Sequence, residues 1–147
     1  MELILLFLIL LSFNCTPKTV VDDHNNVLYL SLMDEALLEI KQQAQETLPF
    51  FLEKMQNPET NESDFQVKYP FEINNEDKQF GYEELWLSNI TIKDGLYYGV
   101  VSNNPRYVSN IKIGDEVIFD PINISDWLYI KNNEIVGGNS IKYLLSQ

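Results

Sequence analysis

The sequence predicts an α+β protein in which an N-terminal amphipathic helix packs on a mainly antiparallel, strongly curved sheet, or small open barrel, of about six short strands. Two changes of pattern along the chain carry this prediction. Between Met33 and Met55 apolar residues recur every three or four positions, which is the period of a helix with one buried side. From Phe65 onward the period falls to two, and short apolar runs alternate with turn residues.

The predicted helix has a single apolar side. Ser31 is placed to cap its N-terminus, and the acidic residues Asp34 and Glu35 follow in the first turn, where the helix dipole favours negative charge. Pro49 lacks an amide hydrogen, so we expect the helix to be kinked or broken near this residue. The apolar positions that share one side are Met33, Leu37, Ile40, Ala44, Leu48, Phe51 and Met55.

The rest of the chain predicts short strands joined by turns. Residues 65–73 alternate apolar and polar side chains, as in a half-buried strand, and Pro70 within them favours an edge position or a bulge. Further strands are expected over residues 80–92, 96–101, 111–119, 124–130 and 134–136. Tight turns or bends are predicted at Asp94-Gly95, Asn132-Asn133 and Gly137-Gly138.

The start of the chain is typical of an export signal. Residues 3–11 are all apolar, and this run is far shorter than the roughly 20 residues that span a bilayer, so it fits the core of a signal peptide. Cys15, the only cysteine, follows at once and is predicted to carry lipid after cleavage. Phe13 and Asn14 are larger than usual before such a cysteine, which leaves an ordinary cleaved signal or an uncleaved anchor open.

These features divide the chain into three parts. Residues 1–14 are predicted to be the signal peptide, and residues 15–30 the lipidated cysteine with a polar tether. Residues 31–147 are predicted to form a single α+β domain, which is long enough to bury a core without disulfide bonds.

Charge and composition exclude several classes of function. The chain has 22 acidic and 10 basic residues, a net charge of −12, and no basic stripe, so we expect no nucleic-acid partner. Membrane attachment is expected through the lipid on Cys15, because no polybasic patch is present. The single histidine, His24, lies in the tether, so the domain lacks the base of a Ser-His or Cys-His pair. No catalytic residue, cofactor or metal is assigned, and a protein without enzymatic activity is favoured.

Six residues are the candidates for a ligand site or a structural hub. Asp126 stands in an apolar strand, where a carboxylate needs a backbone turn or a cation such as Lys68, Arg106 or Lys142. Tryptophans can stack on a sugar or peptide, or anchor a small core through a satisfied indole N–H. The candidates are Glu83, Glu84, Trp86, Asp126, Trp127 and Lys142.

The order of short motifs resembles the bacterial domain-of-unknown-function 2314 family over roughly residues 33 to 145. The resemblance rests on residues 44–51, 65–68, 83–87, 103–105, 112–117, 124–129 and 137–138. This family typically has a histidine where Glu84 stands, and a threonine and an arginine where Ser140 and Lys142 stand. The resemblance implies a shared fold, and it implies no activity because the family has none established.

The leading hypothesis is an envelope lipoprotein, held on the periplasmic or outer face of a membrane, whose acidic domain binds a protein, a peptide or a cell-wall component. One alternative is an immunity-type or inhibitor protein whose negative charge captures a basic partner. A second alternative is a hydrolase or metal-dependent enzyme that uses the carboxylates of Glu83, Glu84 and Asp126.

Overall fold

The computed structural model describes residues 20–21, 28–29, 35–73 and 81–147. The chain divides into two compact units, residues 1–34 and 35–147. In the first unit, β1 (Val20–Val21) pairs antiparallel with β2 (Leu28–Tyr29). The predicted signal peptide, Cys15, His24 and the helix cap at Ser31 lie outside the described residues.

Helix α1 (Glu35–Gln56) is continuous, so the predicted break near Pro49 is wrong. A proline inside a helix cannot donate to the carbonyl four residues earlier, here that of Gln45, at a cost of about 3 kcal/mol. Packing on the sheet offsets this cost, because Phe51 is fully buried just after the proline. Contacts before the proline also hold the helix, since the Gln45 amide donates to the Ile124 carbonyl over 2.7 Å.

The second unit contains a six-stranded antiparallel sheet that stays open, which confirms the predicted α+β class. The strand order across the sheet is β6-β5-β4-β3-β7-β8, so all adjacent strands are consecutive in the chain except β3 and β7. The strands are β3 (Glu62–Glu72), β4 (Tyr82–Lys93), β5 (Leu96–Val101), β6 (Glu116–Phe119), β7 (Asp126–Lys131) and β8 (Glu134–Gly137).

The register gives the sheet two different faces. On the core face, Val67 of β3 lies opposite Leu87 of β4 and Trp127 of β7. Because side chains alternate along a strand, the next residue, Lys68, lies on the other face, which we call the open face. Helix α1 packs on the core face, where the ring of Phe51 lies 5.3 Å from the Trp127 ring. The buried cluster comprises Ala44, Phe51, Val67, Leu85, Leu87, Val101, Phe119, Ile124, Trp127 and Tyr129.

The predicted tight hairpin turns are confirmed by backbone geometry. Asp94 and Gly95 join β4 to β5 with φ values of 52° and 77°, and Asn132 and Asn133 join β7 to β8 with φ values of 52° and 64°. Two successive residues with positive φ are the mark of the turn that matches the twist of a hairpin. The asparagines and Asp94 adopt this conformation more readily than other non-glycine residues.

Two strand predictions need correction, and one helix was not predicted. Strand β6 covers only Glu116–Phe119 of the predicted 111–119, because Gly114 turns with φ 90° and the Asp115 carboxylate accepts from the Lys112 N–H. Strand β3 is interior rather than at an edge, although Pro70 lies beyond the β3–β7 ladder, which ends where Lys68 faces Asp126. The C-terminal segment forms a short helix, α2 (Asn139–Leu145), which the sequence pattern left unassigned.

Candidate functional site

Asp126 is a buried carboxylate that holds the start of α2 against the sheet. Its Oδ1 atom accepts from the Trp127 N–H at 2.8 Å, and its Oδ2 atom accepts from the N–H and the hydroxyl of Ser140 at 2.8 and 2.7 Å. Asp126 is 2% exposed and Ser140 is 3% exposed, so these bonds replace water for both residues. The sequence left two partners open for this carboxylate, a backbone turn or a cation. The structure shows the backbone at the start of α2 in direct contact with it.

Lys68 links Asp126 to the surface of the open face. Its Nζ atom lies 2.9 Å from the Glu84 carboxylate and 3.5 Å from the Ser140 hydroxyl. The Lys68 side chain is largely buried, whereas that of Glu84 is 38% exposed, so the ion pair reaches solvent on the carboxylate side. The positions at which the resemblance indicates a histidine and a threonine, Glu84 and Ser140, thus contact the same lysine.

Trp86 lies next to this ion pair on the open face, directly opposite Lys68 in the register. Both of its backbone polar groups are bonded: its N–H donates to the Asn103 side chain at 2.7 Å, and its carbonyl accepts from the Ser102 N–H at 2.9 Å. The Ser102 hydroxyl also reaches the Gln66 amide oxygen at 3.3 Å. The half-buried indole has polar neighbours, and its N–H donates to none of the described residues.

Trp127 has the opposite environment, although the sequence offers both tryptophans as equal candidates. Its indole N–H donates to the Thr47 hydroxyl at 3.0 Å, and its ring packs on Phe51 and stacks on Tyr129 in the core. The side chain is 8% exposed. Trp127 is an anchor between α1 and the sheet, and it shares no face with Trp86.

Glu83 organises a loop rather than a pocket. Its carboxylate accepts from three consecutive backbone N–H groups, those of Arg106, Tyr107 and Val108, at 2.6 to 2.8 Å. This arrangement fixes the segment that follows β5 against the start of β4. Lys142 lies exposed on α2, and no ion pair joins it to the other described residues.

The six candidates therefore separate into groups. The structure brings Glu84, Trp86 and Asp126 to one face with Lys68, and it places Glu83 and Trp127 on the core face and Lys142 on a helix. We use the name open-face site for Gln66, Lys68, Glu84, Trp86 and Ser102. Gln66 and Ser102 are not among the sequence candidates, although the alternation along β3 already places Gln66 and Lys68 on the same face.

The three candidate carboxylates do not converge on one point. Glu83 binds backbone N–H groups, Glu84 pairs with Lys68, and Asp126 is enclosed by Ser140 and Trp127. Within residues 35–73 and 81–147, no three acidic, histidine or cysteine side chains are grouped closely enough to hold a metal ion. The geometry gives no support to the carboxylate-dependent enzyme alternative.

A second polar cluster joins the end of α1 to the sheet. Lys54 and Lys131 both contact Glu62, at 3.3 and 3.0 Å, and both contact the neighbouring Glu59. The backbone N–H of Glu59 donates to the Glu62 carboxylate, which with the two lysines lowers the pKa of Glu62 to about 2. The hydrogen bonds to these carboxylates raise the pKa of both lysines. The cluster fastens the helix C-terminus to β3 and β7.

Comparison with known proteins identifies the family. The family model described as "Uncharacterized protein conserved in bacteria (DUF2314)" matches residues 34–147. The chain belongs to this family. It is 30% identical over 145 residues to uncharacterized protein YegJ of Escherichia coli strain K12, covering 99% of this chain and 89% of YegJ. No solved structure matches the chain.

A second relative shares only part of its length with this chain. The chain is 30% identical over 126 residues to a putative ankyrin repeat protein of Neisseria meningitidis serogroup B. The match covers 82% of this chain and 49% of that protein, so the chain spans about half the length of this relative.

Among the described residues, no helix is both long and apolar enough to cross a membrane.

Proposed function

We propose that this protein is a bacterial envelope lipoprotein, without enzymatic activity, that binds a saccharide-bearing component of the cell wall through the open-face site. In this proposal residues 1–14 are removed, Cys15 carries lipid, and the tether holds the domain at the periplasmic or outer face of a membrane. The apolar leader followed at once by a lone cysteine supports the anchor.

The environment of Trp86 is the observation that carries the proposed binding activity. A core tryptophan has its indole N–H satisfied inside the protein, as Trp127 does through Thr47. Trp86 instead presents an aromatic ring and a donor that no described residue uses. Gln66 and Ser102, which lie beside it, offer hydrogen bonds. The site therefore combines the apolar face of an aromatic ring with polar groups around it.

The charge of the site agrees with a sugar carrying short peptide groups. Lys68 and Glu84 neutralise each other, so the exposed part of the site has no net charge in a chain of net charge −12. A strongly anionic ligand would be repelled by the chain, and a cation would compete with Lys68 for Glu84. A neutral sugar ring meets neither obstacle, and a glycopeptide whose amine and carboxylate cancel each other has no net charge for the chain to repel.

Co-sedimentation of the purified full chain with isolated cell-wall sacculi tests the binding activity. We expect Trp86→Ala to weaken binding at least about tenfold, which corresponds to roughly 1.4 kcal/mol for a lost stacking contact. Gln66→Ala keeps the tryptophan and is expected to have a smaller effect. Phe50→Ala, which removes a 45% exposed aromatic side chain from α1 on the opposite side of the sheet, serves as the matched control. Equal sedimentation of all four proteins would remove the open-face site from the proposal.

The anchor is tested separately in the host cell. We expect the native protein to fractionate with membranes and to carry an acyl mass on Cys15, and we expect Cys15→Ser to release it from the membrane fraction. An intact mass that includes Met1 and no acyl group, found in a freely dissolved pool, would contradict the anchor. That outcome would contradict the lipid anchor alone, because co-sedimentation with sacculi tests the binding activity independently.

Capture of a basic partner is a second candidate, favoured by one feature of α1. Four carboxylates lie within about 40° of each other around the helix axis, because their spacings of four, seven and seven residues return to one side. All four are exposed, and none forms an ion pair with a described residue; they are Glu35, Glu39, Glu46 and Glu53. A host protein that is retained by the full chain, released by salt and lost on changing these four residues to glutamine would support this candidate.

A further inference from the structure

The open face carries an apolar strip at the end of the sheet away from the Asp126–Ser140 contact. In the register, Tyr98 of β5 lies opposite Ile118 of β6, and both point away from the core because their neighbours Tyr97 and Phe119 pack in it. Leu96 and Val100 flank Tyr98 on the same face of β5. We call these four residues, Leu96, Tyr98, Val100 and Ile118, the β5 strip.

Two residues of the β5 strip, Leu96 and Ile118, are exposed, and Tyr98 and Val100 are half-buried. Ile118 is 57% exposed and Leu96 is 47% exposed, and with Tyr98 and Val100 they place four apolar side chains next to one another on one sheet face. Helix α1 packs on the core face through Phe51 and gives this strip no cover. Clustered apolar side chains of this kind mark a contact surface more often than isolated ones do.

Opposite charges stand at opposite corners of the strip. Lys93 of β4 lies beside Leu96, and its Nζ atom lies 5.1 Å from the centre of the Tyr98 ring. Glu116 of β6 lies beside Val100, at the other end and on the other side. The apolar strip therefore has a positive charge at one corner and a negative charge at the diagonally opposite corner.

We propose that the β5 strip binds the β5 strip of a second copy of this chain, so that the protein forms a two-fold symmetric dimer. The two-fold axis would lie parallel to the sheet, through Tyr98, and perpendicular to the line from Lys93 to Glu116. It then brings Lys93 of each copy against Glu116 of the other and places the two Tyr98 rings together at the centre. The strands of the two sheets then cross near a right angle, which is one of the two common ways that sheets pack.

Charge complementarity favours a second copy over other occupants. Two chains of net charge −12 repel each other over most of their surface, so they approach only where positive and negative groups can meet in pairs. The strip satisfies this condition twice in a single interface, once at each Lys93–Glu116 contact. A basic protein would leave Lys93 opposed by a like charge, and an acidic one would leave Glu116 so opposed.

The mass of the full chain in solution, measured by light scattering over a range of concentrations in mild detergent, tests the proposal. We expect two copies per complex for the natural chain and one copy for Ile118→Glu. Ile122→Glu is the matched control, because Ile122 is even more exposed than Ile118, at 67%, but lies in the turn between β6 and β7. A single copy at all concentrations for the natural chain would overturn the proposal.

Charge reversal distinguishes the proposed pairing from a dimer held elsewhere. We expect Lys93→Glu and Glu116→Lys each to weaken the dimer about tenfold, since symmetry applies each change twice. The doubly changed protein restores opposite charges and is expected to recover the dimer. A dimer that survives Ile118→Glu, or one that the double change fails to recover, would refute the interface. Trp86 is absent from the strip, so a failure of wall binding leaves this test unaffected.

Discussion

Substitution of Gly137 by alanine tests how the end of β8 is packed against Trp127. An added Cβ atom at this position would collide with the Trp127 carbonyl oxygen and lie 2.7 Å from two carbons of the Trp127 ring. The backbone also has φ 76°, where side chains other than glycine are strained. Two separate costs are therefore expected at this one residue.

Gly95 allows the two costs to be separated. It has almost the same φ, 77°, and an added Cβ atom there would meet nothing within 4 Å. Alanine at either position is strained by about 1 kcal/mol. At Gly137 the collision also has to move the Trp127 indole, at about 2 kcal/mol, and stretch the 2.8 Å bond from the Gly138 N–H to the Trp127 carbonyl, at about 1 kcal/mol. The difference between the two variants is expected to be about 3 kcal/mol.

Urea denaturation followed by tryptophan fluorescence measures this difference. With a denaturant dependence of about 2 kcal/mol per molar urea, the midpoint of Gly137→Ala should lie about 1.5 M below that of Gly95→Ala. Equal midpoints for the two variants would show that the β7–β8 hairpin tolerates the extra carbon. The described contact between Gly137 and the Trp127 ring would then be wrong.

Three further predictions concern the elements that hold the domain together. Asp126→Asn should lower the free energy of unfolding by about 3 kcal/mol, because an amide NH₂ replaces one of the two oxygens and leaves the backbone N–H of Trp127 or Ser140 without an acceptor in a buried site. Pro49→Ala should raise it by about 2 kcal/mol, because an amide donor returns to the interior of α1. Glu62→Gln should flatten the pH dependence of stability in acid. The pKa of Glu62 is about 2 in the folded protein, against an ordinary value of 4.5, so its contribution is complete above pH 4.5 and is lost as the pH falls towards 2.

Each of these predictions has a control or a contradicting outcome. Asp120→Asn changes an exposed cap with one bond to the Ile122 N–H, and it should cost less than about 1 kcal/mol. Pro58→Ala alters a proline outside α1, where no helix hydrogen bond is regained and the unfolded chain gains freedom, so it should leave the stability unchanged or lower it. A gain equal to that of Pro49→Ala would contradict the role of the restored helix amide. For Glu62→Gln, the free energy of unfolding is measured against pH. If it falls as much between pH 4.5 and 2 as that of the natural chain does, the role of the carboxylate is contradicted.

The local elements follow from sequence because their signals are local. The alternation from Phe65, the paired turn residues at Asp94 and Asn132, and the apolar stripe of α1 all act within a few residues of each other. The continuity of α1 at Pro49 does not follow, since it depends on burial of Phe51 against strands far away in the chain. Helix α2 is short, and its start is held by Asp126 from another element, which no local pattern shows.

The candidate site was partly predictable for the same reason. Alternation along a strand determines that Lys68 and Gln66 share a face, but only the pairing of β3 with both β4 and β7 shows that Trp86 and Asp126 join them. The same pairing separates Trp86 from Trp127, which look alike in sequence. Glu83 and Glu84 are adjacent in the regular part of β4, where alternation places them on opposite faces, and the structure shows them with different partners.

Fluorine NMR of the full chain labelled with 5-fluorotryptophan tests the proposed binding face most directly, because the chain has two tryptophans. The resonance that disappears in Trp86→Phe belongs to the open face, and the other belongs to the core. On addition of soluble glycopeptides released from sacculi, we predict that the Trp86 resonance shifts or broadens and that the Trp127 resonance stays unchanged. A shift confined to Trp127, or glycopeptide binding with neither resonance affected, would contradict the open-face site.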